Sequence, residues 1–493
     1  MMSPFKFHSK PYPHQKDVFE KTKDKEYWAL NLEMGLGKSK IALDTASYLF
    51  QKGAINLCFI LAPKGVYDTW IRNEIPSHVS PDIPIEILRW QPSLTKKFLQ
   101  QLEDGLVSQN HEEKKLVFFL MNIEAMSTKK GVHYATQALE LNPNNLMVVD
   151  ESTTIKTHNS KRTKSVLSLA SLSKFRRVLT GSPVTKSPLD LFSQCAFLSP
   201  HALGFKNYYS FERYFSVYGP RMTIKGKSFN KVVTYQRIPE LTEKLTHFST
   251  RLLKEDCLNL PDKVYLKRQI EFTPEQKEIY LQIKRLGIAK LESGELQTTA
   301  SVLSQIIRMQ QVCCGIFKPD DSEKTVSIPS NRINELGRIL EEVDGKVLIW
   351  ASFVDSINKI TSFLEDKYGS RTVESFYGAT PQKERQNIVE RFQDPDDPLR
   401  YFVANPATGG FGLTLTAART AIYFSNSYSY EHRLQSEARA HRISQKFMLT
   451  IIDLCAVDQS IGKTIDEKIL ESLLSKKQLS DTVLGDEIRD WLL

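Results

Sequence analysis

The chain carries only six cysteines in 493 residues, and none of them forms a C-x-x-C pair. Cys58, Cys195, Cys257, Cys313, Cys314 and Cys455 are scattered from one end to the other. That spacing argues against a zinc ribbon and against a disulfide scaffold. Most stand in apolar contexts such as LCFILAP and IIDLCAV, the setting of a reduced core thiol. Long apolar runs are missing as well. LVFFLM is strand-length, far below the ~20 residues needed to span a bilayer. The opening MMSPFKFHSK lacks the apolar stretch of a secretory signal. No low-complexity tract and no short-period repeat occurs. The expectation is a cytoplasmic protein with no membrane partner. Its hydrophobic fraction of 41% and charged fraction of 25% exclude wholesale disorder.

What is present is length, and a small excess of positive charge. The length exceeds what one hydrophobic core usually serves, so two or three domains are expected. Lys and Arg number 66 against 57 Asp and Glu, a net charge of +9. A balance this mild permits a nucleic-acid partner without demanding one. The first half alternates strands and helices. Trp28–Leu32, LCFILAP, LVFFLMN, LMVVDES and FRRVLTGSP are compact apolar runs that stop at polar residues, as strands buried on both faces of a parallel sheet do. Between the first two, Ile41, Ala42, Thr45, Ala46, Leu49 and Phe50 recur at helical spacing. From about Pro188 to Ser330 aromatics are dense and helical periodicity dominates. The second half repeats the α/β theme with Val347–Trp350, Thr372–Phe376, RYFVA, TAIYFS and LTIIDLCAV as strands. The fold class is α/β, with doubly wound parallel sheets and chemistry at the carboxyl ends of their strands.

Three constellations carry chemistry. MGLGKS, Met34 to Ser39, lies between a strand and a helix. There the backbone N–H groups of Met34, Gly35, Leu36 and Gly37 can turn toward phosphates, Lys38 can reach the β and γ phosphates, and Ser39 can ligate magnesium. The full phosphate-loop pattern wants a glycine where Leu32 stands, and an ordinary glycine turn is the plain alternative. MVVDES ends a strand on two carboxylates, with Asp150 placed beside a metal and Glu151 placed to orient or deprotonate a water. Taken alone such a pair is usually just solvated. In EHRLQSEARAHRISQ, Gln435, Arg439 and Arg442 stand at i, i+4 and i+7, so a helix running through all three presents them on one face. Two arginines there can stabilise a transferring phosphoryl group, and a solvated charged face is the plain alternative. One nucleotide in a cleft between the two halves would use all three constellations.

The ordered set resembles the Swi/Snf-type ATPases of helicase superfamily two, DNA motors, in a minimal bacterial or viral form. PYPHQ resembles the adenine-reading motif and implicates Gln15. EMGLGKS resembles the family's glycine loop, in which the first glycine is normally absent. LAPKGVYDTWIRNE is similar to motif Ia, with Trp70 and Glu74 in place, and VVDESTTIK to the aspartate-glutamate box with its following Lys156. LTGSPVTKSPLDLFS matches the coupling motif III. VLIWASF, FYGATPQKERQNIVERF, GGFGLTLTAA and QSEARAHRISQ resemble motifs IV to VI, which brings Gly412 to the ATP site. Departures exist: Ser152-Thr153 where the family has Ala-His, Thr414 for Asn, and Tyr428-Ser429-Tyr430 for Trp-Asn-Pro.

The resemblance implies two RecA-like lobes with a helical insertion between them. They divide as residues 1–195, an insertion and linker at 196–330, a second lobe at 331–460 and closing helices at 461–493. It implies ATP and Mg²⁺ as cofactors, with Lys38, Ser39, Asp150, Glu151, Arg439 and Arg442 as the hydrolytic set. It also implies sequence-independent contacts to duplex DNA through Lys64, Trp70, Lys156, Thr408 and Thr414. The expected protein is a monomeric, ATP-dependent double-stranded DNA translocase, which a recruiting protein can direct. A strand-separating helicase, with the aromatic stretch Phe205–Tyr218 stacking on bases, is one alternative. A nucleotide-switched DNA clamp with little turnover is another.

Overall fold

The computed structural model describes residues 5–64, 66–93, 100, 106, 114–185, 187–224, 227–292, 299–318, 325–409, 413–443 and 445–484. They fall into two compact units, Met1–Leu258 with Gln478–Leu493, and Asn259–Lys477. The first unit holds a seven-stranded sheet. In chain order the first unit's strands are β1 (Tyr27–Leu32), β2 (Leu57–Ala62), β3 (Ile85–Arg89), β4 (Leu116–Asn122), β5 (Asn145–Asp150), β6 (Phe175–Leu179), β7 (Ser216–Ile224), β8 (Lys227–Tyr235) and β9 (Ser249–Leu252). The sheet order is β3-β4-β2-β5-β6-β1-β9, while β7 and β8 pair with each other as an antiparallel hairpin. Every pairing in the large sheet is parallel.

The unbroken apolar runs explain this arrangement. Every residue of β2 and β5 is buried, so neither face meets water. Alternate side chains enter opposite layers: Leu57, Phe59 and Leu61 join one core with Ala135, Leu139 and Val166, whereas Cys58, Ile60 and Ala62 join another with Phe19, Ile41 and Leu43. Helices therefore cover both faces. Two of them frame the site, α1 (Pro13–Thr22) and α2 (Lys38–Gln51). Arg177, fully buried in β6, donates to the carbonyls of Thr22, Lys25 and Glu26 at 2.9, 2.8 and 3.2 Å. It closes the C-terminal end of α1 with a guanidinium whose proton affinity burial lowers to about 9.

The second unit holds β10 (Lys263–Glu271), a small hairpin of β11 (Ile316–Phe317) and β12 (Val326–Ser327), β13 (Lys346–Trp350), β14 (Val373–Phe376), β15 (Tyr401–Ala404), β16 (Ala418–Tyr423) and β17 (Leu449–Val457). Its large sheet runs β10-β17-β16-β13-β15-β14, again parallel throughout. Val347, Ile349 and Val403 face one core layer, and Leu348, Trp350 and Phe402 face the other. Both sheets are thus doubly wound, as the alternation of strands and helices predicts. Between 196 and 330 the expected helices are accompanied by the hairpin β7–β8 and by two strands that complete the large sheets: β9 lies along β1, and β10 along β17 over nine residue pairs. No helix among the described residues is long and apolar enough to cross a membrane. All six cysteines are free thiols, five of them buried, and no group of His, Cys, Asp and Glu that could hold a metal occurs among the described residues.

One buried ion pair holds the start of the helix Ile465–Leu484, whose residues up to Lys477 belong to the second unit. Arg332, with a fully buried side chain, donates to Asp466 and to the carbonyl of Phe424. Asp466 also accepts the Ala456 amide at 3.1 Å, so helix and sheet share one carboxylate. Breaking such a pair from one side strands a buried charge. Arg332→Ala is expected to cost about 3–5 kcal/mol in denaturant titration of the whole chain. A change within the scatter of a surface substitution would show that the pair contributes nothing net.

Candidate nucleotide site

Strand order puts the chemistry in one row. β2, β5, β6 and β1 are consecutive neighbours, so the loops after their carboxyl ends lie side by side. These are Pro63–Trp70, Asp150–Ser152, Thr180–Ser182 and the glycine loop. In the last, Gly37 has φ +82° and leads into α2 at Lys38. A Cβ on Gly37 would also lie 2.2 Å from Gln15 Nε2, so both backbone and space require glycine. Gln15 itself is buried in α1. Its Oε1 accepts the Tyr12 amide at 3.0 Å, and its Nε2 donates to the Leu36 carbonyl at 3.2 Å, which His14 Nε2 also meets at 3.0 Å. The expected adenine-reading glutamine therefore braces the glycine loop directly. Met34 meets the next loop: a Cβ on Gly181 would come within 3.1 Å of Met34 Cγ.

Lys38 is half-buried, and its Nζ donates to the Leu32 carbonyl at 2.9 Å, with the Glu33 carbonyl at 3.5 Å. Burial pushes its proton affinity below the ordinary lysine value, against the pull of Glu151, Asp150 and Glu33. Asp150, 6% exposed, is pushed the opposite way by burial, opposed by a hydrogen bond from Trp70 and by Lys38. Each charge is thus disfavoured by desolvation and favoured by the other. Asp150 Oδ1 accepts the Glu151 amide and Oδ2 accepts Trp70 Nε1, both at 2.9 Å, which leaves further lone pairs on each oxygen. Glu151 follows in the left-handed region at φ +48°, ψ +61°, a cost borne by a residue with a Cβ. One carboxylate and the Ser39 hydroxyl at the start of α2 are hard oxygen donors of the kind magnesium takes.

A polar chain ties this row together. Ser152 Oγ donates to Gln194 Oε1 at 2.6 Å, and Gln194 Nε2 donates to the Pro183 and Asp190 carbonyls, each at 2.8 Å. Lys156 Nζ donates to Thr185 Oγ1 at 2.5 Å, and Thr185 gives its amide and hydroxyl to Asp190 at 2.9 and 3.0 Å. Ser152, the departure from Ala-His, is thereby joined to the segment after β6. The amine of Lys156, expected on DNA, is engaged within this chain.

Of the other expected DNA contacts in this unit, Lys64 is exposed. Trp70 requires a correction. Its ring is 1% exposed and its N–H is given to Asp150, so it cannot present a surface to a nucleic acid. The aromatic stretch Phe205–Tyr218 is also mainly core: Phe211 and Phe215 are fully buried and both meet Phe205 edge to face, Phe211 also meets Phe192 at a tilt, and Tyr209 stands out at 70% exposure. Base stacking by the stretch as a whole is excluded by that packing.

In the second unit the helix Tyr430–Ala440 carries Gln435 and Arg439. It stops before Arg442, so a shared helical face does not place the two arginines. A shared carbonyl does: Arg439 Nη1 and Arg442 Nη1 reach the Leu413 oxygen at 3.3 and 3.2 Å, and Arg442 Nη1 also donates to Thr414 Oγ1 at 2.8 Å. Gln435 is fully buried, its Oε1 has no hydrogen-bond partner among the described residues, and its Nε2 lies 3.4 Å from Glu431. Thr408 lies in the short helix Pro406–Gly409, and Gly412 lies outside the described residues.

The sequence reading missed Arg433, which fixes this helix. It donates to Glu437 at 2.7 Å, to Asn426 at 2.8 Å and to Asp453 at 2.5 and 3.0 Å, and its guanidinium lies 3.7 Å from the Tyr423 ring centre. Burial acts upward on the Glu437 carboxyl, yet Lys263 and then Arg433 bring it down to about 2. The i, i+4 spacing of Arg433 and Glu437 was the available signal.

Comparison with known proteins gives the family. Residues 29–317 match the model of the SNF2-related domain, and residues 331–444 that of the helicase conserved C-terminal domain. An uncharacterized ATP-dependent helicase of Mycoplasma pneumoniae is 24% identical over 92% of this chain and 40% of its own length. The SWI/SNF chromatin-remodeling complex subunit snf22 of Schizosaccharomyces pombe is 26% identical over 92% of this chain and 26% of its own. The chain thus spans well under half of these relatives. Among solved structures, the Sulfolobus solfataricus SWI2/SNF2 ATPase core in complex with dsDNA is 21% identical, with 98% of each chain covered and a TM-score of 0.42. With more than half of its length matched by that first domain model, the chain belongs to the SNF2-related family of helicase-type proteins.

Proposed function

We propose that the protein is a magnesium- and ATP-dependent motor that translocates on double-stranded DNA. The observation that carries the reading is the row of four adjacent loops at the carboxyl edge of the first sheet, which sets Lys38 against Asp150 and Glu151. In this reading Lys38 exchanges the Leu32 carbonyl for the β and γ phosphates, and the Gln15-braced loop turns its amides to the same groups. Ser39 and Asp150 hold magnesium, which when bound neutralises phosphate charge. Glu151 accepts a proton from the attacking water. Arg439 and Arg442 of the second unit meet the charge that develops on the transferring phosphoryl group. A relative named ATP-dependent helicase supports ATP use, and an Arabidopsis thaliana relative named probable ATP-dependent DNA helicase supports DNA as the track. Exposed Lys64 belongs to the phosphate-gripping set with Thr408 and Thr414, and grip on the backbone is insensitive to sequence.

The test is a panel of ATPase rates without nucleic acid and with single-stranded DNA, duplex DNA, forked DNA and RNA. Duplex is expected to stimulate most, and the stimulation is expected to fall steeply with salt as counterions compete for the phosphates. Equal rates with and without DNA would sink the translocase reading. Maximal stimulation by the fork together with displacement of a labelled strand would replace it with strand separation. DNA binding with no measurable turnover would replace it with the clamp.

A further inference from the structure

Burial in the apolar layer with Ile41, Ile60 and Ile75 accounts for a tryptophan at position 70. It does not account for the direction of the indole N–H. That N–H ends on Asp150 Oδ2 at 2.9 Å, while the other oxygen takes the Glu151 amide. The carboxylate is therefore fixed from two segments, one continuous with β5 and one that follows β2. The second segment is a single coil. The Val66 and Tyr67 amides return to the Pro63 carbonyl at 2.8 and 3.1 Å, and the Trp70 amide returns to Val66 at 3.4 Å. Trp70–Glu74 is then a π-turn, a wide turn frequent at functional sites, and Ile75–His78 closes the coil. Lys64 is exposed in the first turn of this coil, and Trp70 is buried in the next. In the duplex-binding reading Lys64 would meet phosphate at one end, and the carboxylate at the other is reached through Trp70 by one charge-assisted hydrogen bond.

We propose that Trp70 is a positioning residue that couples nucleic-acid contact on the segment after β2 to the Asp150 carboxylate, and through it to the bound nucleotide and its cation. This rests on the duplex-binding reading above. A shift of the coil either carries the carboxylate with it or breaks a buried hydrogen bond to a charged group, which leaves that group unsatisfied. Binding at the two places is therefore linked, and linkage is reciprocal: duplex changes nucleotide affinity by the same factor as nucleotide changes duplex affinity.

The experiment titrates the full chain with a fluorescent ADP analogue and magnesium, with and without saturating duplex DNA. The ratio of the two affinities is the coupling factor, expected at about 5- to 150-fold in the wild type. Trp70→Phe keeps a ring in the core and removes the donor. It is expected to bind duplex as the wild type does, to melt cooperatively, and to bring the coupling factor close to one. Trp70→His retains a ring N–H and is expected to recover part of the coupling. Lys64→Ala leaves the core untouched and is expected to lower both duplex affinity and the coupling factor. Full coupling in Trp70→Phe with intact duplex binding would overturn the proposal while leaving the motor reading in place. Equal loss in the phenylalanine and histidine variants would reduce Trp70 to packing and overturn it too, as would full coupling at saturating duplex in Lys64→Ala. A wild type that binds no duplex would sink the motor reading and this one together.

Discussion

Lys38→Ala is expected to lower kcat/KM for ATP by about a thousandfold or more, roughly 4 kcal/mol of transition-state stabilisation. The size follows from the charges. The lysine amine faces Glu151, Asp150 and Glu33, and all three pull against the desolvation that disfavours its proton. Without the amine, a bound triphosphate would add its own negative charge to three carboxylates. In the first unit, magnesium at Ser39 and Asp150 and the Arg251 guanidinium, which already acts on Lys38, would be left as the compensating cations of the proposed site. The loss should appear in affinity as well as in turnover, because in the proposed site the amine would contact phosphates in the ground state and the transition state alike. A nucleotide titration should therefore show weakened ATP binding by the variant, and steady-state hydrolysis should be near background. The fold should survive, since Asp150 loses a counter-charge but keeps the hydrogen bonds from the Glu151 amide and from Trp70 Nε1. Hydrolysis near the wild-type rate would mean that the glycine loop is an ordinary turn.

The loop and carboxylates were legible because local sequence makes them. A buried strand that stops at a glycine, or at a carboxylate pair, places those residues at a sheet edge whatever the rest of the chain does. The strands that escaped notice lack that local mark. In β3, IEILR is short and alternates charge with apolar residues, and in β9, STRL has one large apolar side chain. Both lie at the edges of the first sheet, where one side is unpaired and the hydrophobic demand is lower. β10, KVYLKRQIE, is likewise an edge strand and mostly exposed, so its sequence reads as polar although all nine residues pair with β17.

The roles of Trp70, Ser152 and Arg177 were illegible for a different reason. Each depends on a partner far away in sequence: Asp150, Gln194, and the carbonyls at the end of α1. No periodicity announces such a pair. Trp70 shows the consequence, since motif resemblance assigned it to DNA and its environment gives it to a carboxylate. Arg442 shows the opposite case. The helical spacing that grouped it with Arg439 fails at Ala440, yet the two side chains still converge because the Leu413 carbonyl lies beneath both.

That convergence sets the second large effect. Arg442→Ala is expected to lower turnover by about 10³–10⁵, with ATP affinity nearly retained. The contrast with Lys38 follows from when each charge is used. An arginine that meets charge developing on the transferring group acts mainly in the transition state, so its removal falls on kcat rather than on ground-state binding. The contrast with Arg433 follows from what each guanidinium holds. Arg433 is tied to Asp453, Glu437 and Asn426 in the interior, so removing it strands buried carboxylates and loosens the helix. Arg442 lies beyond the helix, and its Nη1 meets a carbonyl and the Thr414 hydroxyl. Truncating it should leave the melting transition in place. Duplex binding in the absence of nucleotide should also persist, which separates a catalytic loss from a failure to engage DNA. Parallel measurement of turnover, nucleotide affinity and thermal midpoint decides the matter. A variant that loses ATP affinity as steeply as Lys38→Ala would make Arg442 a ground-state phosphate ligand. One that hydrolyses at the wild-type rate would remove it from the site and leave Arg439 to carry the charge alone.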